Sequence, residues 1–265
     1  LARELKEKKL DAIFILNPHK LLHLAAFISG VKIRVGYRRK WGKILLTNSI
    51  NDYRDSAQKS EIEYSQDLLK SVGIKTTKTN PKIVLTDNEK KDGKKILYSS
   101  GVKFDAPLIA IHPMTSNLIK TWGEGKYREI IRRVQTELEA DIVIVGAESE
   151  REDINQIISG VLPEERNLAG KTSLRELASI LQDVDIFLGN DSGPMHIAST
   201  GRAHIIAIFN LDGGSSPLRW GPVTDNFSIL CQASSSIEMD NNNIRFYNNL
   251  GVNVVFDEIK NRLNK

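Results

Sequence analysis

The sequence has 265 residues but only one cysteine, Cys231, and it lacks any long apolar run. A single cysteine excludes a disulfide scaffold and a zinc site built from cysteines, and it suits a reducing compartment. No apolar run approaches the roughly 20 residues that cross a bilayer, which excludes a membrane-spanning protein. The chain starts at Leu1 and has no signal-peptide pattern. We therefore expect a cytoplasmic protein from which an upstream segment has been removed.

Several familiar signatures of catalysis are also missing. There is no G-x-G-x-x-G followed by an acidic residue and no G-x-x-x-x-G-K-[ST], which argues against a nicotinamide dehydrogenase and a P-loop enzyme. Ser192 lies in D-S-G-P, which differs from the G-x-S-x-G elbow of hydrolases. The 5 histidines are scattered and form no H-E-x-x-H pair. We expect neither a metal site nor another cofactor.

The sequence does contain a regular alternation of strand-like and helix-like segments. Apolar residues make up 40% of the chain and charged residues 26%, and the net charge of +4 permits an anionic partner. Short β-branched runs alternate with amphipathic stretches, which indicates βαβ units and parallel sheets. The main predicted strands are Asp11–Leu16, Lys32–Gly36, Lys82–Leu85, Leu108–His112, Asp141–Gly146, Val184–Gly189 and His204–Phe209. The length favours two such α/β sheets, with a boundary near Val102–Pro107, and the Asn-rich stretch Asp240–Asn249 is predicted to be a linker or surface loop.

Ligands of open parallel sheets bind where strands end and helices begin. The loop G-N-D-S-G-P-M-H is the most informative of these, because Pro194 can open a helix and Ser192 and Gly193 then precede free N–H groups that bind anions. His196 points back toward the same helix end. Asp191 is better explained as a partner of sugar hydroxyls. The alternative is a helix cap with a buried histidine.

Three further loops follow predicted strands. In H-P-M-T-S-N-L-I-K-T-W, Thr115 and Ser116 can hydrogen-bond a phosphate and Lys120 supplies positive charge, whereas Trp122 is expected to pack the loop. The alternative for this loop is a solvated connection with one lysine. In G-A-E-S-E a carboxylate could accept hydrogen bonds from ribose hydroxyls. Alternatively, the acidic side chains could simply stabilise the start of a helix through its dipole. In F-N-L-D-G-G the glycines indicate a backbone close to a ligand or a mobile turn.

The first half contains a basic stretch, K-I-R-V-G-Y-R-R-K-W-G-K. It could hold a phosphorylated lipid head or an acidic sugar, or it could be a solvated loop. Contact with nucleic acid ranks lowest, because no RNA- or DNA-binding motif accompanies it.

Taken together, I-A-I-H-P-M-T-S-N-L-I-K-T-W, I-V-I-V-G-A-E-S-E, V-D-I-F-L-G-N-D-S-G-P-M-H-I-A-S-T and H-I-I-A-I-F-N resemble glycosyltransferase family 9. These are the ADP-heptose:lipopolysaccharide heptosyltransferases and their relatives. The resemblance covers nearly the whole chain, and D-S-G-P-M-H-I-A is its most specific element. It implies a GT-B fold with two Rossmann-like domains that face each other across a cleft. Residues 1–103 would be a partial acceptor-side domain, 104–250 the donor domain, and 251–265 a helix returning to the first domain.

The resemblance also implies roles for individual residues. The donor-binding set would be Thr115, Ser116, Lys120, Glu150, Thr172, Asp191, Ser192, Gly193, Pro194 and His196. Thr115, Ser116 and Lys120 would meet the diphosphate, together with Ser192, Gly193 and the amides after them, and His196 would support that loop. Glu150 would bind ribose, with Glu148 as a nearby rival, and Thr172 would lie near adenine. Asp191 would face the transferred sugar, so that Lys120 and Asp191 are the implied catalytic pair. Apart from the resemblance, the basic stretch of the first half makes Arg34, Arg38 and Arg39 the candidates for binding an acidic acceptor.

The sequence departs from the family in two places. Asn210-Leu211-Asp212 stands where the family usually has G-P-T-D, which bears on how the donor sugar is held. Family members also begin with a strand and a Gly-Asp loop whose aspartate is the proposed base. Leu1–Gly36 resembles the part that follows this loop, so we expect the base to be absent and the first domain to be incomplete, with unpaired strand edges.

The expected function is inverting, metal-independent transfer of a heptose from an ADP-sugar to a lipopolysaccharide inner-core acceptor of the cell envelope. Peripheral contact with the inner face of the inner membrane is part of this expectation. One alternative is an inactive nucleotide-sugar-binding remnant of a truncated gene. Another is a sugar-nucleotide epimerase on the same fold, which would need catalytic acids that the four loops do not obviously offer.

Overall fold

Parallel strands connected by helices form both halves of the chain. The computed structural model describes residues 1–17, 19–39, 42–77, 80–115, 117–233 and 243–264. The chain divides into two compact units, Leu1–Thr79 and Asn80–Lys265. Among the described residues, no helix is both long enough and apolar enough to cross a membrane.

The first unit contains a three-stranded parallel sheet in the order β1-β2-β3. Its strands are β1 (Ala12–Ile15), β2 (Ile33–Tyr37) and β3 (Asn48–Ile50), and its helices are α1 (Ala2–Glu7), α2 (Lys20–Ile28), α3 (Gly42–Leu45) and α4 (Glu61–Lys70). Helix α4 begins at a capping box in which Ser60 and Glu63 each bond the other's backbone N–H. The central strand packs on this helix through Val35, Tyr37 and Leu68.

The second unit contains a six-stranded parallel sheet in the order β5-β4-β6-β7-β8-β9. Its strands are β4 (Leu108–His112), β5 (Asp141–Ile144), β6 (Ile186–Asn190), β7 (His204–Asn210), β8 (Phe227–Gln232) and β9 (Ile244–Tyr247). Its helices are α5 (Asp87–Ser99), α6 (Glu124–Glu137), α7 (Arg151–Ile158), α8 (Leu174–Asp183), α9 (Gly193–Ala198), α10 (Pro217–Trp220) and α11 (Val252–Leu263). Every residue of β4 and β6 is buried, as expected of a parallel sheet covered on both faces.

Side-chain alternation along β4 divides this core into two layers. Ile109 and Ile111 contribute to one apolar cluster, and Leu108 and Ala110 contribute to the cluster on the other face. This is the period of two that a strand imposes on its side chains. The continuous apolar runs of the sequence therefore reflect burial on both faces of the sheet, and the predicted α/β class is confirmed.

The compact units differ from the predicted domains at their boundary, which lies at 79/80 instead of near 103/104. Helix α5 belongs with the second unit because it packs on α8. Gly93 lies so close to Ser179 that a Cβ there would collide with its side chain. Glu89, which caps α5, also forms an ion pair with Arg175 of α8 at 2.5 Å.

Two predicted elements are corrected. The segment Lys82–Leu85 is not a strand. The carbonyl of Ile83 accepts a hydrogen bond from the Gln182 side chain, and the carbonyl of Val84 accepts one from Arg175, so this backbone bonds to helix side chains. The predicted loop at 240–249 contains β9, which pairs with β8 in parallel. The asparagines around I-R-F-Y masked its alternation, and residues 234–242 lie outside the described ranges.

Helix α11 packs on α6 within the second unit. Val255, Phe256 and Ile259 enter the same apolar cluster as the buried face of α6. The Arg133 guanidinium lies 3.7 Å from the centre of the Phe256 ring. The contact of this helix with the first domain, which the resemblance implies, stays a prediction.

Candidate functional site

A cavity of about 460 Å³ opens at the carboxyl ends of the strands in the second unit. The connection after β4 leads to β5 and the connection after β6 leads to β7, so the two run to opposite sides of the boundary between β4 and β6. Such a switch point is where open α/β sheets bind ligands. Seven of the predicted donor residues line the cavity: Thr115, Glu150, Thr172, Asp191, Ser192, Gly193 and Pro194.

The other predicted donor residues have different positions. Lys120 is not among the residues that line the cavity, but it contacts Asp191, which lines it. His196 lies half-buried in α9, and its burial lowers the pKa of its imidazole. Ser116 lies outside the described residues.

Lys120 and Asp191 form an ion pair that joins the loops after β4 and β6. The Lys120 Nζ lies 2.8 Å from the Asp191 Oδ2, and the two side chains are 26% and 8% exposed. The Ser215 hydroxyl, from the loop after β7, donates to the same carboxylate oxygen. The sequence placed Lys120 on a phosphate and Asp191 on a sugar, whereas this structure shows the two groups paired with each other.

A second polar cluster centres on His112, the last residue of β4. His112 pairs in register with Gly189 of β6, which brings its ring beside the loop that begins there. The ring is buried; its Nδ1 lies 2.9 Å from the Ser192 Oγ and its Nε2 lies 3.2 Å from the Glu150 Oε2. The hydrogen bond from His112 lowers the pKa of the Glu150 carboxyl, and burial opposes this effect.

The same geometry separates the two acids that the sequence left as rivals. Glu150 lines the cavity and accepts a hydrogen bond from the Ala147 N–H at 2.7 Å. Glu148 is 70% exposed and pairs with Arg151 at 2.8 Å. Of the two acids, Glu150 is the one that lines the cavity.

Asn190, which is fully buried at the end of β6, holds the β4 loop in place. Its side-chain amide donates to the Pro113 carbonyl at 2.8 Å and accepts from the Trp122 N–H at 3.2 Å. The Trp122 indole donates to the Leu250 carbonyl at 2.8 Å and meets Tyr127 edge-on, with ring centres 5.1 Å apart. The prediction that Trp122 packs the loop is confirmed.

Sequence reasoning missed three residues of this site: His112, Asn190 and Ser215. A signal was present for the first two, because a polar side chain at the carboxyl end of a buried strand is unusual. Ser215 had no local signal. Its position depends on the preceding turn, in which Gly214 takes a φ of 71°.

The three arginines predicted to bind the acceptor have different partners in the first unit. Arg34 donates to the carbonyls of Leu45 and Val31. Arg39 pairs with Asp52 at 2.7 Å, whereas Arg38 donates to the Ser49 hydroxyl at 3.3 Å. Lys40 and Trp41 lie outside the described residues. Within the described part of the chain, no group of three or more His, Cys, Asp or Glu side chains could hold a metal ion.

The fold is that of an α/β protein with a cavity at the switch point of a parallel sheet. The family model described as glycosyltransferase family 9 (heptosyltransferase) matches residues 1–245, and the chain belongs to this family.

The chain is similar to heptosyltransferases of two bacteria. It is 24% identical over 229 residues to the lipopolysaccharide core heptosyltransferase OpsX of Haemophilus influenzae, a match that covers 84% of this chain and 62% of that protein. It is 25% identical over 229 residues to lipopolysaccharide heptosyltransferase 2 of Escherichia coli, covering 82% and 64% of the two chains. The chain thus spans less than two thirds of the length of either relative.

A solved structure confirms the fold. The structure of the E. coli ADP-heptose lipopolysaccharide heptosyltransferase II superposes with a TM-score of 0.78 at 20% identity, over 99% of this chain and 79% of that one. The GT-B fold class implied by the sequence motifs is therefore confirmed.

Proposed function

We propose that this chain binds ADP-heptose in the cavity of its second unit and takes part in heptose transfer to the inner core of lipopolysaccharide. The observation that carries the proposal is the convergence of seven donor-site candidates from separate loops on one cavity. A volume of about 460 Å³ suits a ligand of nucleotide size, since small-molecule sites measure roughly 300–1,000 Å³.

The polar groups of the cavity fit a ligand rich in hydroxyls. Glu150 receives its two hydrogen bonds, from His112 and Ala147, on Oε2. We propose that its other oxygen, Oε1, accepts hydrogen bonds from the ribose hydroxyls. Thr172 lines the same cavity and is the proposed neighbour of adenine.

The diphosphate is proposed to lie near Thr115, Lys120 and Gly193. A Cβ on Gly193 would meet no atom within 4 Å, so a ligand can approach this backbone closely. Lys120 supplies the positive charge, although it shares that charge with Asp191 in this structure. Binding of a diphosphate therefore draws Lys120 partly away from its carboxylate partner.

The proposed reaction is a direct displacement at the anomeric carbon with inversion. The acceptor hydroxyl gives its proton to a general base or to water, and its oxygen forms the new bond to that carbon. At the same time the bond to the diphosphate oxygen breaks, and ADP leaves with the bonding electrons. Lys120 stabilises the charge that develops on the leaving diphosphate, as a preorganised cation does. In this proposal the charge is balanced without a metal, and Asp191 orients the transferred sugar.

Calorimetric titration with ADP tests the donor assignment, with UDP and GDP as comparison ligands. We expect selective binding of ADP, and we expect Lys120→Ala to weaken it by about 1.5–3 kcal/mol, as for the loss of a charged hydrogen bond. The exposed residue Lys91 on α5 offers a matched control, Lys91→Ala, which should leave binding unchanged. Preference for UDP or GDP would overturn the ADP assignment, and unchanged affinity in Lys120→Ala would overturn the phosphate assignment.

We also propose that the first unit contacts an anionic lipid surface, where the acceptor would lie. Residues 1–79 contain 16 Lys and Arg against 8 Asp and Glu, so this unit carries +8 whereas the whole chain carries +4. Helix α2 exposes a row of apolar side chains beside these charges, namely Leu21, Leu24, Phe27 and Ile28. The apolar face of this helix can insert among lipid chains, and the positive charge of the unit is attracted to anionic lipid head groups.

For the acceptor itself, we propose Arg38 as the residue of the three arginines best placed to bind an acidic group. Arg39 already pairs with Asp52, and Arg34 bonds two backbone carbonyls, whereas the contact of Arg38 is to the neutral Ser49 hydroxyl. Arg34 and Arg39 then support the basic surface through their charge.

A further inference from the structure

The buried ring of His112 sets the direction of two hydrogen bonds in the donor cavity. Its Nε2 faces Glu150 at 3.2 Å, and a carboxylate can only accept. The Glu150 carboxylate also accepts the Ala147 N–H, and its pKa is lowered. Glu150 is therefore ionised at neutral pH, and the hydrogen between the two residues belongs to the Nε2 of His112.

The neutral imidazole has one N–H and one lone pair, so in this form the second ring nitrogen of His112 accepts. Its Nδ1 then receives a hydrogen bond from the Ser192 hydroxyl, whose Oγ lies 2.9 Å away. A hydroxyl has a single hydrogen. In this arrangement the Ser192 hydroxyl donates its hydrogen to His112. Toward the cavity, its Oγ can then only accept.

A phosphate oxygen and the lone pairs of Ser192 are both acceptors, and two acceptors cannot hydrogen-bond each other. A sugar hydroxyl is a donor and fits this position. Asp191 is the neighbouring cavity residue and is the proposed partner of the transferred sugar. Ser192 also makes no side-chain bond to the helix that follows it, so capping does not explain its hydroxyl.

We infer that His112 acts in its neutral form as the positioning residue of Ser192, and that the Ser192 Oγ accepts a hydrogen bond from a hydroxyl of the transferred sugar. The inference rests on the proposed function and refines it, because the sequence motifs placed Ser192 on the diphosphate. In this proposal the phosphates are bound by Thr115, Lys120 and the backbone near Gly193. Ser192 thereby distinguishes the sugar nucleotide from the free nucleotide.

Titrations of Ser192→Ala with ADP and with ADP-heptose separate the two roles. We expect the Kd for ADP to stay within about twofold and the Kd for ADP-heptose to rise about three- to tenfold, as for one lost hydrogen bond. Ser192→Thr keeps the hydroxyl and should restore ADP-heptose binding. Equal weakening of both ligands overturns the inference, and so does unchanged binding of both.

The role of His112 is tested with His112→Gln, whose amide can still donate to Glu150. We expect the preference for ADP-heptose over ADP to fall by a similar factor, and we expect Ser192→Ala to have no further effect in this background. Additive effects would overturn the positioning role. Thermal unfolding of each variant confirms that it is folded. Failure of the wild-type chain to bind either ligand would overturn the proposed function itself, which is a different result from equal weakening.

Discussion

The Lys120 ammonium and the Asp191 carboxylate lie 2.8 Å apart across the loops that follow β4 and β6. Both partners of this pair were candidates for ligand contact, and Ser215 adds a third loop to the same carboxylate. The pair places a negative charge beside the cation that the proposed function assigns to the diphosphate. Under that proposal, diphosphate affinity and sugar positioning are opposed at this point of the site.

Replacing Asp191 with Asn should separate those two effects. We expect Asp191→Asn to bind ADP more tightly, by about 1 kcal/mol, because a negative charge near the diphosphate is removed and Lys120 is released. Transfer of the sugar should be lost. Calorimetry measures the first effect, and Asp105→Asn, an exposed change in the same unit, serves as the control. Weaker ADP binding in Asp191→Asn would contradict this account of the pair.

Glu150 should recognise the ribose. We expect Glu150→Gln to weaken ADP about tenfold, the range for a hydrogen bond to a charged group, and to weaken 2′-deoxy-ADP or 3′-deoxy-ADP much less. Glu148→Gln is the matched control, because Glu148 is the exposed acid two residues earlier. Titration of the three nucleotides into each variant checks this. An equal loss in both variants would argue against a specific role for Glu150.

Glu258 should make the stability of the second unit depend on pH. Burial disfavours its ionisation, yet hydrogen bonds from Ser228, Arg262 and Arg245 outweigh this and lower its pKa to about 2. Because the folded pKa lies below the unfolded value, the stabilisation is present above about pH 4.5 and is lost as the pH falls toward 2. We expect the free energy of unfolding to fall by about 1–3 kcal/mol over this pH range.

Denaturant unfolding at pH 7, 4 and 3 measures this contribution. The wild-type chain should lose stability more steeply than Glu258→Gln below pH 4.5. Glu152→Gln, at an exposed position on α7, should follow the wild type. Parallel curves for the wild type and Glu258→Gln would show that the carboxylate is not responsible.

The apolar face of α2 should bind anionic vesicles. We expect the chain to sediment with vesicles that contain phosphatidylglycerol and to remain free with pure phosphatidylcholine, and we expect salt to weaken binding. The triple change Leu21→Ser, Leu24→Ser and Ile28→Ser should reduce binding at least about tenfold, since each side chain loses apolar burial. Leu218→Ser, an exposed apolar position of the second unit, is the control. Vesicle binding that depends neither on lipid charge nor on the triple change would contradict the proposed membrane-binding role of α2.

Much of the fold could be predicted from local pattern. The runs L-I-A-I-H and V-D-I-F-L-G are apolar over their whole length because both faces of the sheet are covered. The loops that follow these runs could be predicted to line a cavity, because they lie at the carboxyl ends of parallel strands. By contrast, β9 was missed because four residues between asparagines carry too little periodicity, and Lys82–Leu85 looked like a strand although its backbone bonds to the side chains of Gln182 and Arg175.

The sequence by itself determined the parallel α/β class, the family, and which loops hold the polar residues that line the cavity. Only the tertiary structure decided which of those residues meet. Lys120 pairs with Asp191, and His112 connects Glu150 to Ser192, because β4 lies between β5 and β6 and brings their loops together. These contacts join residues 38 to 80 positions apart. Strand order in a sheet is set by packing of the whole unit, so no local pattern could have specified them.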